Sequence, residues 1–243
     1  MLNLCYKKKS VAFTLAEVLV TLGVLGVVAA MTMPTLVGNY QKKAYVTQLS
    51  KVYSEVQQAA LKYKNDNNAI NLREAGLTSQ AKMKSFVHDY LKVVSDCESV
   101  VKEPCFADTY TDLSGNSHNT NDSWGAAASV TLASGASIII DYPAYYTQTV
   151  NGVVSHYGHM VIDVNGPKGP NKGGRDIFFA EFYDDGSIDV SGATPECKSK
   201  GVCTGNKSLK DIRESYFNSN CKTGRYGTGC IGKILNDNWE MNY

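Results

Sequence analysis

The stretch Ala12 to Leu22, AFTLAEVLVTL, follows three consecutive lysines, Lys7, Lys8 and Lys9, and opens the most hydrophobic part of a chain of 243 residues. Inside it stands one carboxylate, Glu17, and no further charge appears until Lys42. A carboxylate is costly in hydrocarbon, so this one needs either a partner or a purpose. From Val18 to Val37 twenty residues pass without a charge, the length a helix needs to cross a bilayer at about 1.5 Å per residue. Two ordinary readings fit the segment. One is a secretory signal peptide cut near Ala29 or Ala30; the other is a plain signal anchor held by the three lysines on the cytoplasmic side. Neither needs an acid at the start of the apolar run.

The rest of the chain is of a different character. The formal net charge of +1 becomes −2 once residues 1–12 are set aside, and what remains is polar and rich in Gly, Asn and Tyr. Lysines and arginines are scattered, with no basic stripe interleaved with aromatics, so no nucleic-acid partner is expected. One apolar segment against a polar remainder implies an anchor carrying a soluble head.

The basic leader, the small residue Ala12, the run Phe13, Thr14, Leu15, Ala16, Glu17 and the apolar segment behind it resemble the N-terminus of type IV prepilins and type II secretion pseudopilins. Gly26 and Pro34 fall where many pilins have a helix glycine and a helix-kinking proline. One departure is that the family usually has Gly before the cut, where this chain has Ala12; alanine is still small, so cleavage is expected. The resemblance covers residues 7 to about 65. It implies a leader over 1–12, a transmembrane helix over 13–37, an amphipathic stem helix over 38–64 and an extracytoplasmic head over 65–243. It further implies cleavage between Ala12 and Phe13 by a prepilin peptidase, N-methylation of Phe13, and retention of the apolar segment as an anchor in the bacterial inner membrane. The implied partners are other pilin or pseudopilin subunits, met through the N-terminal helix, and an inner-membrane assembly platform. Glu17 would meet the Phe13 amine of a neighbouring subunit, an attraction that is strong in a low-dielectric filament core.

Periodicity carries the reading past the membrane segment. Val46, Leu49, Val52, Tyr53, Val56, Ala60 and Tyr63 recur at helical intervals, so one helix is expected from about Phe13 to Lys64, ended by the polar run Asn65 to Asn68. A second helix is expected over Ser79–Val94, residues 95–124 as a surface loop, and a short helix over Leu209–Phe217. Strands are expected at Ser129–Ala133, Ala136–Asp141, His159–Val164, Ile177–Phe182 and Ser187–Val190, with turns at Ser134-Gly135 and Asp184 to Gly186. Since each element has one apolar face to bury, the expected fold is α+β and pilin-like: a long N-terminal transmembrane and stem helix packed on an antiparallel sheet.

Six cysteines remain once Cys5 is set aside with the leader, in three close pairs: Cys97 and Cys105, Cys197 and Cys203, Cys221 and Cys230. They lack zinc-site spacing and fit disulfides formed outside the cytoplasm. Neighbourhood favours local pairing, although other connectivities stay open. The loop Asp163 to Asp176 reads first as a tight Gly- and Pro-rich turn. Its Asp163, Asn165, Asn171 and Asp176 are also hard oxygen ligands of the kind calcium takes, and some major pseudopilins carry calcium beside their sheet. The expectation is no cofactor, with calcium the one ion this loop suits. His156 and His159 form a His-x-x-His that reads as a surface coincidence, and no hydrolase, nucleotide or dinucleotide motif appears, so no enzyme is expected. The expected function is a structural subunit of a type IV pilus or type II secretion pseudopilus. The alternatives are a minor or tip subunit with a ligand-binding head, or a secreted binding protein or enzyme whose signal peptide is removed.

Overall fold

In the computed structural model, residues 14–97, 104–119, 128–224 and 227–243 are described. Helix α1 runs without a break over Leu15–Asp66, with Pro34 inside it. The chain divides into two compact units, Met1–Gln41 and Lys42–Tyr243. In the first, Leu19, Val20, Leu22, Leu25, Val28 and Met31 are all exposed. An apolar surface of this kind on all sides of a helix suits lipid or close packing with other helices rather than water. The segment is long and apolar enough to cross a membrane.

In the second unit, the remainder of α1 is amphipathic, burying Val46, Leu49, Val52, Val56, Ala59 and Ala60. Asn68, in the left-handed conformation at φ 48°, takes the chain away from the helix, two residues beyond its last turn. Helix α2 spans Gln80–Tyr90 behind a Ser79 N-cap. It is shorter than the periodicity suggested, because Leu91 turns extended and Val93–Asp96 forms strand β1 on β4 (Ala128–Leu132). Val94 looked like a continuation of the helix face, but it is 66% exposed on that strand.

Strand β4 pairs with β5 (Ser137–Ile140), β5 with β7 (Val153–Asp163), β7 with β8 (Ile177–Tyr183) and β8 with β9 (Ile188–Asp189). Strand β6 (Tyr146–Val150) also pairs with β7, through an Asn151-Gly152 turn with both residues at positive φ. That is the geometry a tight hairpin needs. Each of these strand pairs is antiparallel and the order is β1-β4-β5-β7-β8-β9. Inside the stretch expected as a loop, β2 (Thr109–Thr111) and β3 (Ser117–Asn119) form a separate small hairpin. Helices α3 (Pro195–Lys200), α4 (Leu209–Tyr216) and α5 (Cys230–Asn236) follow the sheet, with a π turn over Phe217–Cys221 between the last two.

The sheet buries both faces, which is why its central strands read as continuous apolar runs. Ile138, Ile140, Met160, Ile162, Phe178 and Phe182 join the stem residues in one core. Their neighbours Ile139, Val161 and Ile177 point the other way and pack with Phe106, Ala107 and Tyr110, as the two-residue period of a strand requires. Gly186, at φ 90° in the β8–β9 turn, lies where an added Cβ would come within 2.9 Å of Ala60, so its missing side chain lets the turn approach the stem. The cysteines bond as neighbours: Cys97–Cys105, Cys197–Cys203 and Cys221–Cys230, at Cα separations of 6.0, 4.5 and 5.0 Å. The first closes over the outer apolar cluster; the third ties the π turn to the start of α5.

Candidate functional site

The residues singled out from the sequence fall in two places, the start of α1 and the loop between β7 and β8. Ala12 and Phe13 lie outside the described residues. Glu17 is described, and it has a partner within its own chain. The Glu17 N–H donates to Thr14 Oγ1 at 3.2 Å, while Glu17 Oε2 accepts from the Thr14 N–H and hydroxyl, each at 2.8 Å. This is a reciprocal capping box, which satisfies donors that a helix start otherwise leaves bare. A carboxylate in the first turn also faces the positive end of the helix dipole. The signal for it, Thr-x-x-Glu ahead of an apolar run, stands in the sequence beside the family resemblance. Pro34 sits inside the unbroken helix, and Gly23 and Gly26 have nothing within 4 Å of where a Cβ would be. That free space is available to a neighbouring helix.

The second place is built by the sheet. Asp163 ends β7 and Asp176 directly precedes β8, and the Val164 N–H bonds the Asp176 carbonyl at 2.8 Å, closing the loop at its neck. Both carboxylates are fully buried. Asp163 Oδ2 accepts from the Tyr110 hydroxyl at 2.5 Å, and Asp163 Oδ1 from the Asn165 N–H at 3.2 Å. Asp176 accepts from the Asn171 and Lys172 N–H groups at 2.7 and 2.6 Å. Burial nevertheless pushes the Asp163 carboxyl up to about 8, with the nearby Asp176 charge adding to it and the Tyr110 hydrogen bond opposing. Burial raises Asp176 as well, against its backbone hydrogen bonds. Two acids are thus held in a space that disfavours both charges.

The amides of the same loop complete the arrangement. Asn165 Nδ2 donates to the Lys168 and Gly169 carbonyls at 2.7 and 3.1 Å, and Asn171 Nδ2 to the Pro167 carbonyl at 3.4 Å. With their amino groups so engaged, the Asn165 and Asn171 Oδ1 atoms are buried without a hydrogen-bond partner. A buried, unpaired acceptor costs roughly 1–3 kcal/mol. Two orphaned carbonyl oxygens in a loop flanked by two charge-starved carboxylates fit a hard cation bound through oxygen. Among the described residues no group of three or more His, Cys, Asp or Glu could hold a metal ion; a cation in this loop would have two acids and two amides as its donors. All four sequence-selected residues share this loop. Tyr110, the buried partner of Asp163, was not foreseen, because it lies 53 residues earlier in the chain.

The His-x-x-His does not make one site. Three residues apart on β7, His156 and His159 take opposite faces, and His159 Nδ1 pairs with Glu181 on β8 at 2.9 Å.

Among known proteins, the chain is 35% identical over 71 residues to the type II secretion system core protein G of Aeromonas hydrophila. The match covers 29% of this chain and 49% of that protein, so the chain spans about half the length of the curated relative. No family model matches the chain, and no solved structure matches it. The similarity supports a pseudopilin-like subunit, and the helix and sheet have the pilin-like layout.

Proposed function

We propose that this chain is a prepilin-like structural subunit of a type II secretion pseudopilus or, failing that, of a type IV pilus. The observation that carries the reading is the division of α1. Its first part is apolar on every side and exposed, and its second is buried against an antiparallel sheet. A single helix of this kind serves as a membrane anchor and, once the subunit leaves the bilayer, as packing material for a filament core. The partial similarity to a type II secretion core protein favours the pseudopilus. In this reading residues 1–12 are removed by a prepilin peptidase, Phe13 becomes the methylated N-terminus, residues 13–37 span the inner membrane, and the head faces the periplasm or exterior. An inner-membrane platform then drives assembly. A calcium ion held by Asp163, Asn165, Asn171 and Asp176 would neutralise the two buried acids and rigidify the β7–β8 loop on the head.

The capping box sharpens the test. Gln serves a capping box nearly as well as Glu, but it cannot neutralise a neighbour's amine. Glu17→Gln and Glu17→Val are therefore compared for the fraction of mature protein in sheared filaments or bound to the secretion machine. If Glu17 pairs with the Phe13 amine of a neighbour, both variants keep membrane residence and cleavage, and both lose incorporation. If Glu17→Gln incorporates like the parent while Glu17→Val does not, the carboxylate serves only its own helix. A mature N-terminus near Met31 would overturn the whole reading in favour of a secreted protein.

A further inference from the structure

The outer face of the sheet carries a cavity of about 560 Å³ that neither the stem nor the loop at Asp163 uses. Six of its sixteen described lining residues carry rings, four of them tyrosines. β5 ends at Ile140, and the Tyr145 N–H bonds back to the Tyr142 carbonyl at 3.1 Å across Pro143 and Ala144, a tight turn that sets two tyrosines side by side. Tyr142 and Tyr145 meet edge to face, with centroids 5.4 Å apart and planes at 74°. Tyr145 and Tyr146 meet at 4.5 Å and 67°. Tyr146 then lies 4.5 Å from the His159 ring and stacks on Tyr157 at 5.5 Å. Gly158 makes room for this turn: a Cβ there would stand 2.5 Å from the Asp141 carbonyl oxygen and 2.8 Å from that of Tyr142.

We infer that this cavity is an aromatic cage for an alkylammonium group, formed by Tyr142, Tyr145, Tyr146 and His159 with Glu181 as the counter-charge. Three observations point to a cation. Tyr142 and Tyr145, then Tyr145 and Tyr146, stand at 74° and 67°, with His159 tilted at 49° to Tyr146, so the rings turn round a space rather than forming the flat platform on which a neutral sugar stacks. Their faces carry the negative part of the ring quadrupole, which attracts a cation held over them. The described lining contains the carboxylates Asp141 and Glu181 and no lysine or arginine, so an anion meets repulsion. Glu181 is buried and held in place by His159. The cavity falls within the usual size of small-ligand sites, roughly 300–1,000 Å³. Two sources share the chemistry: a small quaternary ammonium compound, or the lysine side chain of another protein.

The test uses the full chain in a polyoxyethylene detergent, which has neither charge nor sugar, at pH 8. His159 is held above the ordinary histidine value by its hydrogen bond to Glu181. The other titratable groups beside it are Asp141, Tyr146 and Tyr157, and at pH 8 His159 is less protonated than at lower pH. Choline, Nα-acetyl-lysine methylamide, the neutral choline isostere 3,3-dimethylbutanol and cellobiose are each titrated by calorimetry. The expected result is saturable binding of one or both ammonium compounds, with the isostere at least roughly tenfold weaker. Preference for choline then marks a small-molecule ligand, and preference for the lysine derivative a protein partner. Tyr145→Leu, at a position 54% exposed and therefore safe for folding, should weaken binding roughly tenfold, with Glu181→Gln acting in the same direction. The inference is overturned if the isostere binds as well as choline, if Tyr145→Leu changes nothing, if cellobiose binds in place of the ammonium compounds, or if none of the four binds.

Discussion

Removing calcium should make the head less stable, and the loss should grow with pH. Without a cation, Asp163 keeps its proton in the folded head up to about 8, whereas when unfolded it releases it near the ordinary carboxylate value of 3.8. A group whose folded value is raised contributes stability that is complete below its unfolded value and is lost as pH climbs through the folded one. Between pH 5 and pH 7 that slope amounts to roughly 3 kcal/mol, at about 1.4 kcal/mol per pH unit. For a unit of this size the corresponding fall in melting temperature is on the order of 6–12 °C. Calcium held as proposed would reverse the logic, since it would favour both ionised carboxylates and occupy the two amide oxygens. At a hundredfold excess over its dissociation constant it restores about 3 kcal/mol. Tryptophan fluorescence melts of the full chain, with calcium or with chelator at pH 5, 6 and 7, should therefore diverge as pH rises. Asp163→Asn removes the titrating group: in chelator the variant should melt above the parent at pH 7 and show no response to calcium. Coincident curves with and without calcium at pH 7, after metal analysis confirms its removal, would refute the calcium reading and leave a plain turn.

Other outcomes follow from the head alone. Thiol labelling of the folded protein should leave Cys97, Cys105, Cys197, Cys203, Cys221 and Cys230 unreacted; replacing both Cys97 and Cys105 by Ser should cost about 2–3 kcal/mol in a denaturant titration, through the lost restraint on the unfolded chain. Stoichiometric labelling of these six would show that the pairs do not form. Arg213 grips the buried Asp189 through two bonds of 3.0 and 2.6 Å, with Lys198 at 3.2 Å as the only other cation on it among the described residues. Arg213→Met should cost roughly 3–5 kcal/mol, because it strands most of a buried charge; a loss below about 1 kcal/mol would show that Lys198 alone suffices.

What could be read from the sequence, and what could not, divides along physical lines. The buried half of α1 was legible because Val46, Leu49, Val52 and Val56 face one surface for several turns. Strands β4, β5, β8 and the second half of β7 were legible because each is buried on both faces, and Ile138 to Ile140 or Ile177 to Phe179 read as apolar whichever way they point. Strand β6 and the first half of β7 were missed because Tyr146 to Val150 and Val153 to His156 are mostly exposed and polar, although Asn151-Gly152 between them is a strong hairpin signal. Strand β1 was taken into α2 because Leu91 and Val94 continue a helical period by chance. The loop at Asp163 shows the same limit in the candidate site. Its four oxygen-bearing residues are close in sequence and could be picked out by chemistry. Their burial, the pressure of Tyr110 from a distant hairpin, and the orientation that leaves two amide oxygens unpaired are products of tertiary packing. Glu17 is the opposite case. Among the described residues its side chain bonds Thr14, so its cap could have been derived from four consecutive residues. Because that cap already satisfies Glu17 in the single chain, pairing with a neighbour's amine has to add to the cap or displace it. On the proposed reading, assembly through Glu17 would be favoured only where exclusion of water and a neighbour's amine together make the ionic partner worth more than the local hydrogen bonds, as among the close-packed helices of a filament core.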